Sequence, residues 1–228
     1  MSAVPTLAIS GVSRGIGEGV ARAFLAEGWR VQAFGRSKPS WFDEFGDAAV
    51  LTQCDFADPV SVQTACAAVN CPIDVLICSA ATFGGGAFNL HDFDPAAFSE
   101  TMAVNVISPA LMARELHPRL QEGARRLLVM MSTGNASLAG NSAGSMLAYR
   151  ASKSALNQVM RNLAAEWGPH GFTAVALNPG WVRTDMGGAQ APLSVDEASK
   201  LILSFVTQIA TPAINGAFVN TDGSALPW

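Results

Sequence analysis

The sequence predicts an α/β fold, a single-domain doubly wound sheet of seven mainly parallel strands with helices on both faces. Short aliphatic runs alternate with longer amphipathic stretches along the 228 residues, as in repeated βα units. The short runs are apolar throughout, which is typical of strands buried on both faces. Since no repeat, charge block or linker divides the chain, residues 1–228 are expected to form one domain.

Seven runs are predicted to be strands because they are short and rich in aliphatic residues. They are Leu7–Ser10, Arg30–Phe34, Ala49–Gln53, Val75–Cys78, Leu127–Met131, Thr173–Leu177 and Ala217–Asn220. Five longer stretches with helical patterns lie between them. They are Ile16–Glu27, Val60–Val69, Pro95–Leu116, Ala148–Trp167 and Val195–Ile209. Because ligands of open parallel sheets bind beyond the carboxyl ends of the strands, residues that follow strands are the functional candidates.

Composition excludes several classes of protein. Half of the residues are hydrophobic and 14% are charged, which fits a globular domain and not a disordered or low-complexity chain. A net charge of −4 offers no basic field, so nucleic acid is not an expected partner. The N-terminus lacks signal-peptide features and every apolar run is too short to span a bilayer. The expectation is a soluble, cytoplasmic protein with no membrane partner.

A metal site is not expected, because neither the cysteines nor the histidines have the spacing of metal ligands. The four cysteines lie in one quarter of the chain without a CxxC pattern, and we expect them to be reduced thiols. The residues concerned are Cys54, Cys66, Cys71, Cys78, His91, His117 and His170.

A glycine-rich turn, G-x-x-x-G-x-G, follows the first strand and opens the first helix, which is the context of a dinucleotide site. Gly11 permits the tight turn, Gly15 lets the backbone approach a pyrophosphate, and Gly17 lets the helix pack on the sheet. The alternative is an ordinary βα turn. No lysine and hydroxyl pair of a phosphate-hydrolysing loop follows. The predicted Rossmann-like site comprises Gly11, Ser13, Arg14, Gly15, Ile16 and Gly17.

The end of the second strand bears on the choice of cofactor. Gly35 stands where an acid would bind a ribose 2′-hydroxyl, and Arg36 follows it. Arg36 and Arg14 suit a 2′-phosphate, which predicts NADP(H) in preference to NAD(H), although either arginine could instead be a solvated surface residue. Asp55, after the third strand, has two readings: it bonds the adenine amino group, or it caps the helix near Pro59.

The single tyrosine of the chain, Tyr149, lies four residues before Lys153, one of only three lysines. On a helix this spacing puts the phenol and the ammonium on one face. A nearby cation lowers the pKa of a phenol, so the pair predicts an acid–base group that works near neutral pH. The alternative is a packed phenol beside a solvated lysine.

Together, the glycine turn and the YxxxK pair resemble the short-chain dehydrogenase/reductase family, over essentially the whole chain. The resemblance implies reversible hydride transfer between NADPH and a small-molecule carbonyl compound, a ketone, aldehyde or quinone. Tyr149 would be the general acid/base and Lys153 its partner. It also implies a homodimer or homotetramer.

The resemblance implies further site residues. Asn105 is similar to an asparagine that distorts its helix and relays protons from the lysine through water. The hydroxyl that orients the substrate carbonyl is either Ser132, counted along the strand, or Thr133, counted back from the tyrosine. The Asn178–Thr184 segment resembles the one that fixes the nicotinamide. Its expected contacts come from Pro179, Gly180, Val182 and Thr184.

One motif departs from the family pattern, because Cys78-Ser-Ala-Ala81 stands where NNAG is usual. Backbone contacts to the cofactor, at Ala80, can survive, but the asparagine bonds that brace the sheet cannot. Three other segments resemble the C-factor and sniffer-type carbonyl reductases of the family. The alternative function is therefore a cofactor-binding signalling or scaffold protein with little turnover. Substrate selectivity is expected to depend on Gly84–Phe88, residues near Leu147, and Gly187–Leu193. None of these segments identifies a substrate.

Overall fold

The computed structural model describes residues 4–84 and 90–228, and within them seven strands form one sheet. The strands are β1 (Thr6–Ser10), β2 (Arg30–Gly35), β3 (Ala49–Gln53), β4 (Val75–Cys78), β5 (Leu127–Met131), β6 (Thr173–Asn178) and β7 (Phe218–Asn220). Their order is β3-β2-β1-β4-β5-β6-β7, and every neighbouring pair is parallel. The predicted strands are confirmed, and the sheet is wholly rather than mainly parallel.

Six α-helices cross between these strands. They are α1 (Gly15–Ala26), α2 (Pro59–Ala67), α3 (Pro95–Met102), α4 (Ser108–Glu122), α5 (Leu147–Trp167) and α6 (Val195–Ser204). Two π-helical turns, Ala103–Ile107 and Phe205–Ile209, directly follow α3 and α6. The predicted single helix Pro95–Leu116 is therefore wrong: the π turn divides it, and its second part continues to Glu122. The predicted helix Val195–Ile209 likewise ends in a π turn.

Helices cover both faces of the sheet. Since successive side chains of a strand point to opposite faces, the side chains on both faces are buried. One apolar cluster contains Ile9 and Val129 and packs beneath α1 and α6. The other contains Ala8 and Leu128 and packs beneath α2, α4 and α5. This arrangement explains why the strands are apolar without alternation.

The position of β1 creates the crevice expected of a doubly wound sheet. Leu7 of β1 pairs with Val31 of β2 on one side and with Val75 of β4 on the other. The chain thus leaves β3 at one edge and returns on the far side of β1. At this switch of strand order the connections diverge to opposite faces, and a ligand site opens between the carboxyl ends of β1 and β4.

All four cysteines are free thiols, as expected. Cys54, Cys66 and Cys78 are buried, and burial raises the pKa of Cys54 to about 11 and that of Cys78 to about 12. Since the thiolate is the reactive form, these thiols are held unreactive near neutral pH. Among the described residues, no helix combines the length and apolarity that crossing a membrane requires.

Candidate functional site

A cavity of about 590 Å³ lies at the carboxyl ends of the strands, where the glycine turn, β4, α5 and the loop after β6 meet. Most of the residues predicted to bind a dinucleotide line it. They are Gly11, Ser13, Arg14, Gly15, Ile16, Gly17, Arg36, Asp55, Ala80, Tyr149, Lys153, Pro179 and Thr184. Asn105, Gly180 and Val182 are not among the described residues that line it.

The glycine turn leaves no room for side chains. Gly11 has φ +80°, and a Cβ there would lie 2.8 Å from backbone atoms of Ala80. A Cβ on Gly17 would lie 2.2 Å from the carbonyl oxygen of Gly11. The N-cap residue Arg14 makes no side-chain bond to the first amides of α1, which therefore remain available for an anion. This narrow cradle with its donors fits the pyrophosphate of a dinucleotide.

Ser10 braces the segment after β4, where Cys78-Ser-Ala-Ala81 stands in place of NNAG. Ser10 Oγ accepts hydrogen bonds from the N–H groups of Ser79 and Ala80, at 3.0 and 3.1 Å. These bonds tie the end of β1 to the segment after β4. The cradle keeps its shape although Cys78-Ser-Ala-Ala81 departs from the family pattern.

The two candidate phosphate-binding arginines differ in their surroundings. Arg14 forms an ion pair with Asp185, which lies in the loop after β6, and both side chains are exposed. Arg36 is exposed, borders the cavity, and has no ion pair among the described residues. Arg36 is thus the cation that is open to a 2′-phosphate, whereas Arg14 would have to leave Asp185.

The alternative that Asp55 caps the helix near Pro59 is wrong. The N-cap of α2 is Asp58, whose Oδ1 accepts from the N–H of Val60 at 2.9 Å. Asp55 Oδ1 accepts from Ala57 at 3.0 Å, and the residue borders the cavity. Its predicted contact with adenine remains a prediction.

Tyr149 and Lys153 lie on the same face of α5, as their spacing predicts. Both are buried, and Lys153 Nζ lies 5.9 Å from the centroid of the tyrosine ring. Lys153 donates to the carbonyl oxygen of Met131 at 2.7 Å. The side chain of Thr133 lies near enough to the phenol of Tyr149 to lower its pKa.

Ser132 and Thr133 occupy different environments. Ser132 donates to Oδ1 of buried Asn157 at 2.6 Å, so its hydroxyl is engaged in the core. Thr133 is partly exposed and adjoins the phenol of Tyr149. Ser132 lines the cavity, whereas Thr133 is not among its described lining residues, so the choice between the two hydroxyls stays open.

Burial dominates the protonation of the pair. It raises the pKa of Tyr149 to about 12, and the hydrogen bond from Thr133 offsets this only in part. Burial also lowers the pKa of Lys153 to about 8, against a smaller opposing effect of Cys78. Burial, rather than Lys153, accounts for the direction of the Tyr149 pKa here, and the prediction that Lys153 depresses this pKa stays a prediction.

Asn105 lies in the π turn Ala103–Ile107 and is fully buried. The helix is thus distorted at this residue, as the resemblance implied. Its side-chain amide accepts from Thr82 N–H at 2.8 Å and donates to Thr82 O and Ser152 Oγ, each at 2.9 Å. The side chain is a structural brace, and a water relay through this residue stays a prediction.

The loop after β6 is fixed by its own hydrogen bonds. Val182 is buried and forms an isolated parallel bridge with Leu193. Thr184 Oγ1 accepts from Gly187 N–H at 3.0 Å. These bonds place Thr184 on the cavity wall, whereas Val182 is buried in the core.

Other lining residues escaped sequence reasoning. They include Phe56, Thr82, Glu100, Val104, Asp185 and Val195. Glu100 and Val104 lie one helical turn apart across the α3–π junction, a signal that only a correct placement of that junction would have shown. Of the predicted selectivity segment Gly84–Phe88, residues 85–88 lie outside the described residues.

Comparisons with known proteins agree with this geometry. A family model described as enoyl-(acyl carrier protein) reductase matches residues 11–207. The chain is 36% identical to C-signal of Myxococcus xanthus over 69% of this chain and 93% of that protein. Its fold matches the carbonyl reductase Sniffer of D. melanogaster with a TM-score of 0.91, at 26% identity over 99% and 100% of the two chains. An NADPH-bound carbonyl reductase from chicken fatty liver matches with a TM-score of 0.88, at 27% identity over both whole chains.

Proposed function

The chain belongs to the short-chain dehydrogenase/reductase family of oxidoreductases, and on this premise we propose that it reduces a ketone, aldehyde or quinone with NADPH. One observation carries the proposal: the Tyr149 phenol and the Lys153 ammonium lie together in a cavity that begins at the glycine turn. A proton donor and a dinucleotide cradle thus share one enclosed space.

The cradle residues suit NADP(H). The α1 amides and the glycine turn would hold the pyrophosphate, Arg36 the 2′-phosphate, Asp55 the adenine and Thr184 the nicotinamide. Lys153 would hold a ribose hydroxyl. When bound, the reduced cofactor supplies the hydride.

The chain's own groups handle the proton. Tyr149 is protonated at neutral pH, because burial raises its pKa to about 12. It is still a stronger acid than an alcohol, so transfer of its proton to the developing alkoxide is downhill. Thr133 Oγ1 donates to the same oxygen and orients the carbonyl. The Lys153 cation, charged below a pKa of about 8, favours the phenolate that remains.

The direct test is the loss of reduced-nicotinamide absorbance, with NADPH and NADH run in parallel against quinones, diketones, aromatic aldehydes and keto esters. We expect NADPH consumption with at least one of these classes. Consumption of neither cofactor by folded protein that binds NADPH would overturn the proposal.

Removing the hydroxyls of Ser132 and Thr133 in separate variants should distinguish their roles. Thr133→Val removes the donor beside Tyr149, and kcat should fall by about 10²-fold, the usual effect of losing one such donor. Ser132→Ala leaves buried Asn157 Oδ1 without its donor and should lower the free energy of unfolding by about 1–3 kcal/mol with little change in kcat. Steady-state kinetics and urea unfolding measure both. The reverse pattern would assign the substrate contact to Ser132.

Arg36→Ala should lower kcat/KM for NADPH by about 10- to 100-fold, the value of a charge-assisted hydrogen bond. With NADH, which lacks the 2′-phosphate, kcat/KM should stay unchanged. Lys38→Ala is the matched control, because Lys38 is exposed nearby and pairs with Asp43. Equal losses with both cofactors would contradict the assigned contact.

A second candidate function is a cofactor-binding signalling or scaffold protein with little turnover. The observation that favours it is the similarity to C-signal of Myxococcus xanthus. Tight NADPH binding without turnover, together with a specific protein partner, would support it. The complete Tyr149–Lys153 pair makes reduction the preferred proposal.

Three further predictions accompany the proposal. They are a homodimer or homotetramer, a cytoplasmic location, and one domain spanning residues 1–228. Light scattering of the purified protein distinguishes the dimer from the tetramer.

A further inference from the structure

Phe83 makes a contact with Tyr149 that neither the glycine turn nor the YxxxK pattern accounts for. The two rings are stacked, with centroids 4.8 Å apart and an angle of 25° between their planes. Phe83 follows β4 and lies two residues after the Cys78-Ser-Ala-Ala81 segment. Only 8% of Tyr149 is exposed, and an aromatic ring against its face excludes water from that side.

The backbone that carries Phe83 is held in place by Asn105. Both backbone groups of Thr82 are bonded to the Asn105 side chain, and the same side chain donates to Ser152 Oγ. Ser152 Oγ in turn donates to the carbonyl oxygen of Tyr149 at 2.8 Å. A continuous set of hydrogen bonds therefore links the Phe83 segment to the helix that carries Tyr149.

The next residue keeps this segment close to α5. Gly84 has φ +81°, and a Cβ there would lie 2.9 Å from the Cβ of Ala148 and 2.8 Å from Thr101 Oγ1. The backbone thus lies directly against the first turn of α5. Phe83 is fixed on both sides, by the Thr82 bonds before it and by the Gly84 approach after it.

We propose, building on the proposed reductase function, that Phe83 is a positioning residue that holds the ring of the proton donor Tyr149 and shields it from water. Without the stacked ring, the Tyr149 side chain gains rotational freedom and water reaches its face. A donor that is displaced transfers its proton less often in the productive orientation. Removing the aromatic ring should therefore affect kcat more than cofactor binding.

The same change should be visible in the titration of Tyr149, because burial is what raises its pKa. Several other titratable or charged groups lie near Lys153 or line the same cavity. Lys153 lies on the same helix and Cys78 on β4, while Glu100 of α3 and Arg183 and Asp185 of the loop after β6 border the cavity. Substitution of Phe83 leaves all of them in place, so a difference between variants reports the shielding of the ring.

The chain's single tyrosine makes the experiment direct. Phenolate absorbance during a rapid pH jump reports Tyr149 alone, and circular dichroism checks that the fold persists. The variants are Phe83→Leu, which keeps an apolar side chain of similar reach, and Phe83→Ala. The matched control is Phe93→Leu, because Phe93 contacts Phe98 in the neighbouring segment.

In Phe83→Ala the titration midpoint should move by about one pH unit toward the ordinary phenol value of about 10, and in Phe83→Leu it should move by less, because leucine still excludes part of the water. With NADPH, kcat should fall by about tenfold while the dissociation constant of NADPH changes less than about twofold. The Phe93→Leu control should match the unsubstituted protein in all three measurements. An unmoved midpoint and kcat in folded Phe83→Leu would overturn the proposal, as would equal losses of cofactor binding and kcat.

The titration does not depend on turnover, so the two proposals fail separately. A shifted midpoint in a protein that reduces no carbonyl compound would support the Phe83 inference and overturn the reductase proposal. Normal turnover with an unshifted midpoint would do the opposite.

Discussion

Replacing Tyr149 with phenylalanine should lower kcat for carbonyl reduction by about 10²- to 10⁴-fold, the usual contribution of a positioned proton donor. The phenol hydroxyl is the only group removed. The ring would remain stacked on Phe83, and the Thr133 side chain would remain near it. The loss should therefore appear in the chemical step and leave the fold intact.

Binding of NADPH supplies the control for this substitution. The glycine turn and Arg36 lie on the other part of the cavity, so the dissociation constant should change less than about twofold, within the range of a distant substitution. Fluorescence titration with NADPH and single-turnover kinetics separate the two effects. Unchanged turnover in the variant would remove Tyr149 from the mechanism.

Lys153→Met should show a stability advantage over the unsubstituted protein that shrinks as the pH rises. Burial lowers the pKa of Lys153 from 10.5 to about 8, so the unfolded chain binds more protons than the folded one between these values. Stability of the unsubstituted protein then rises with pH across that window. The cost of holding the charged lysine, fully present below pH 8, is about 3 kcal/mol.

The measurement is the free energy of urea unfolding at pH 7 and pH 10 for both proteins, in the presence of a reductant. The difference between them should fall by about 3 kcal/mol over this range. Tyr149 and the buried cysteines titrate in both proteins and largely cancel. Loss of the hydrogen bond to the Met131 carbonyl changes the unfolding free energy of the variant by an amount that does not depend on pH. Lys38→Met, at an exposed lysine, is the control, and a pH-independent difference for Lys153→Met would contradict the lowered pKa.

The sequence predicted the elements whose signal is local. Buried parallel strands are continuous apolar runs, so their positions were found to within a residue or two. The four-residue spacing of Tyr149 and Lys153 placed them together because both lie on one regular helix. The turn from Gly11 to Gly17 was recognisable because its glycines directly follow an apolar strand, and a Cβ on Gly11 or Gly17 would meet backbone at close range.

What the sequence did not predict depends on competition between neighbours. Asp55 and Asp58 are both able to cap α2, and only the path of the chain decides for Asp58. A π turn has nearly the same apolar pattern as an α-helix, so the pattern around Asn105 did not indicate where α3 ends. The contact of Phe83 with Tyr149 joins residues far apart in the chain, which no spacing rule describes.

The all-parallel sheet has a consequence for how the protein folds as it is synthesised. No two neighbouring strands are joined by a hairpin, so every ladder must close a long loop before its bonds form. One side of β1 has no partner until Val75–Cys78 has been made. At usual rates of translation this edge is open for on the order of ten seconds. The nascent chain should therefore need protection by a chaperone during that interval more than the finished protein does.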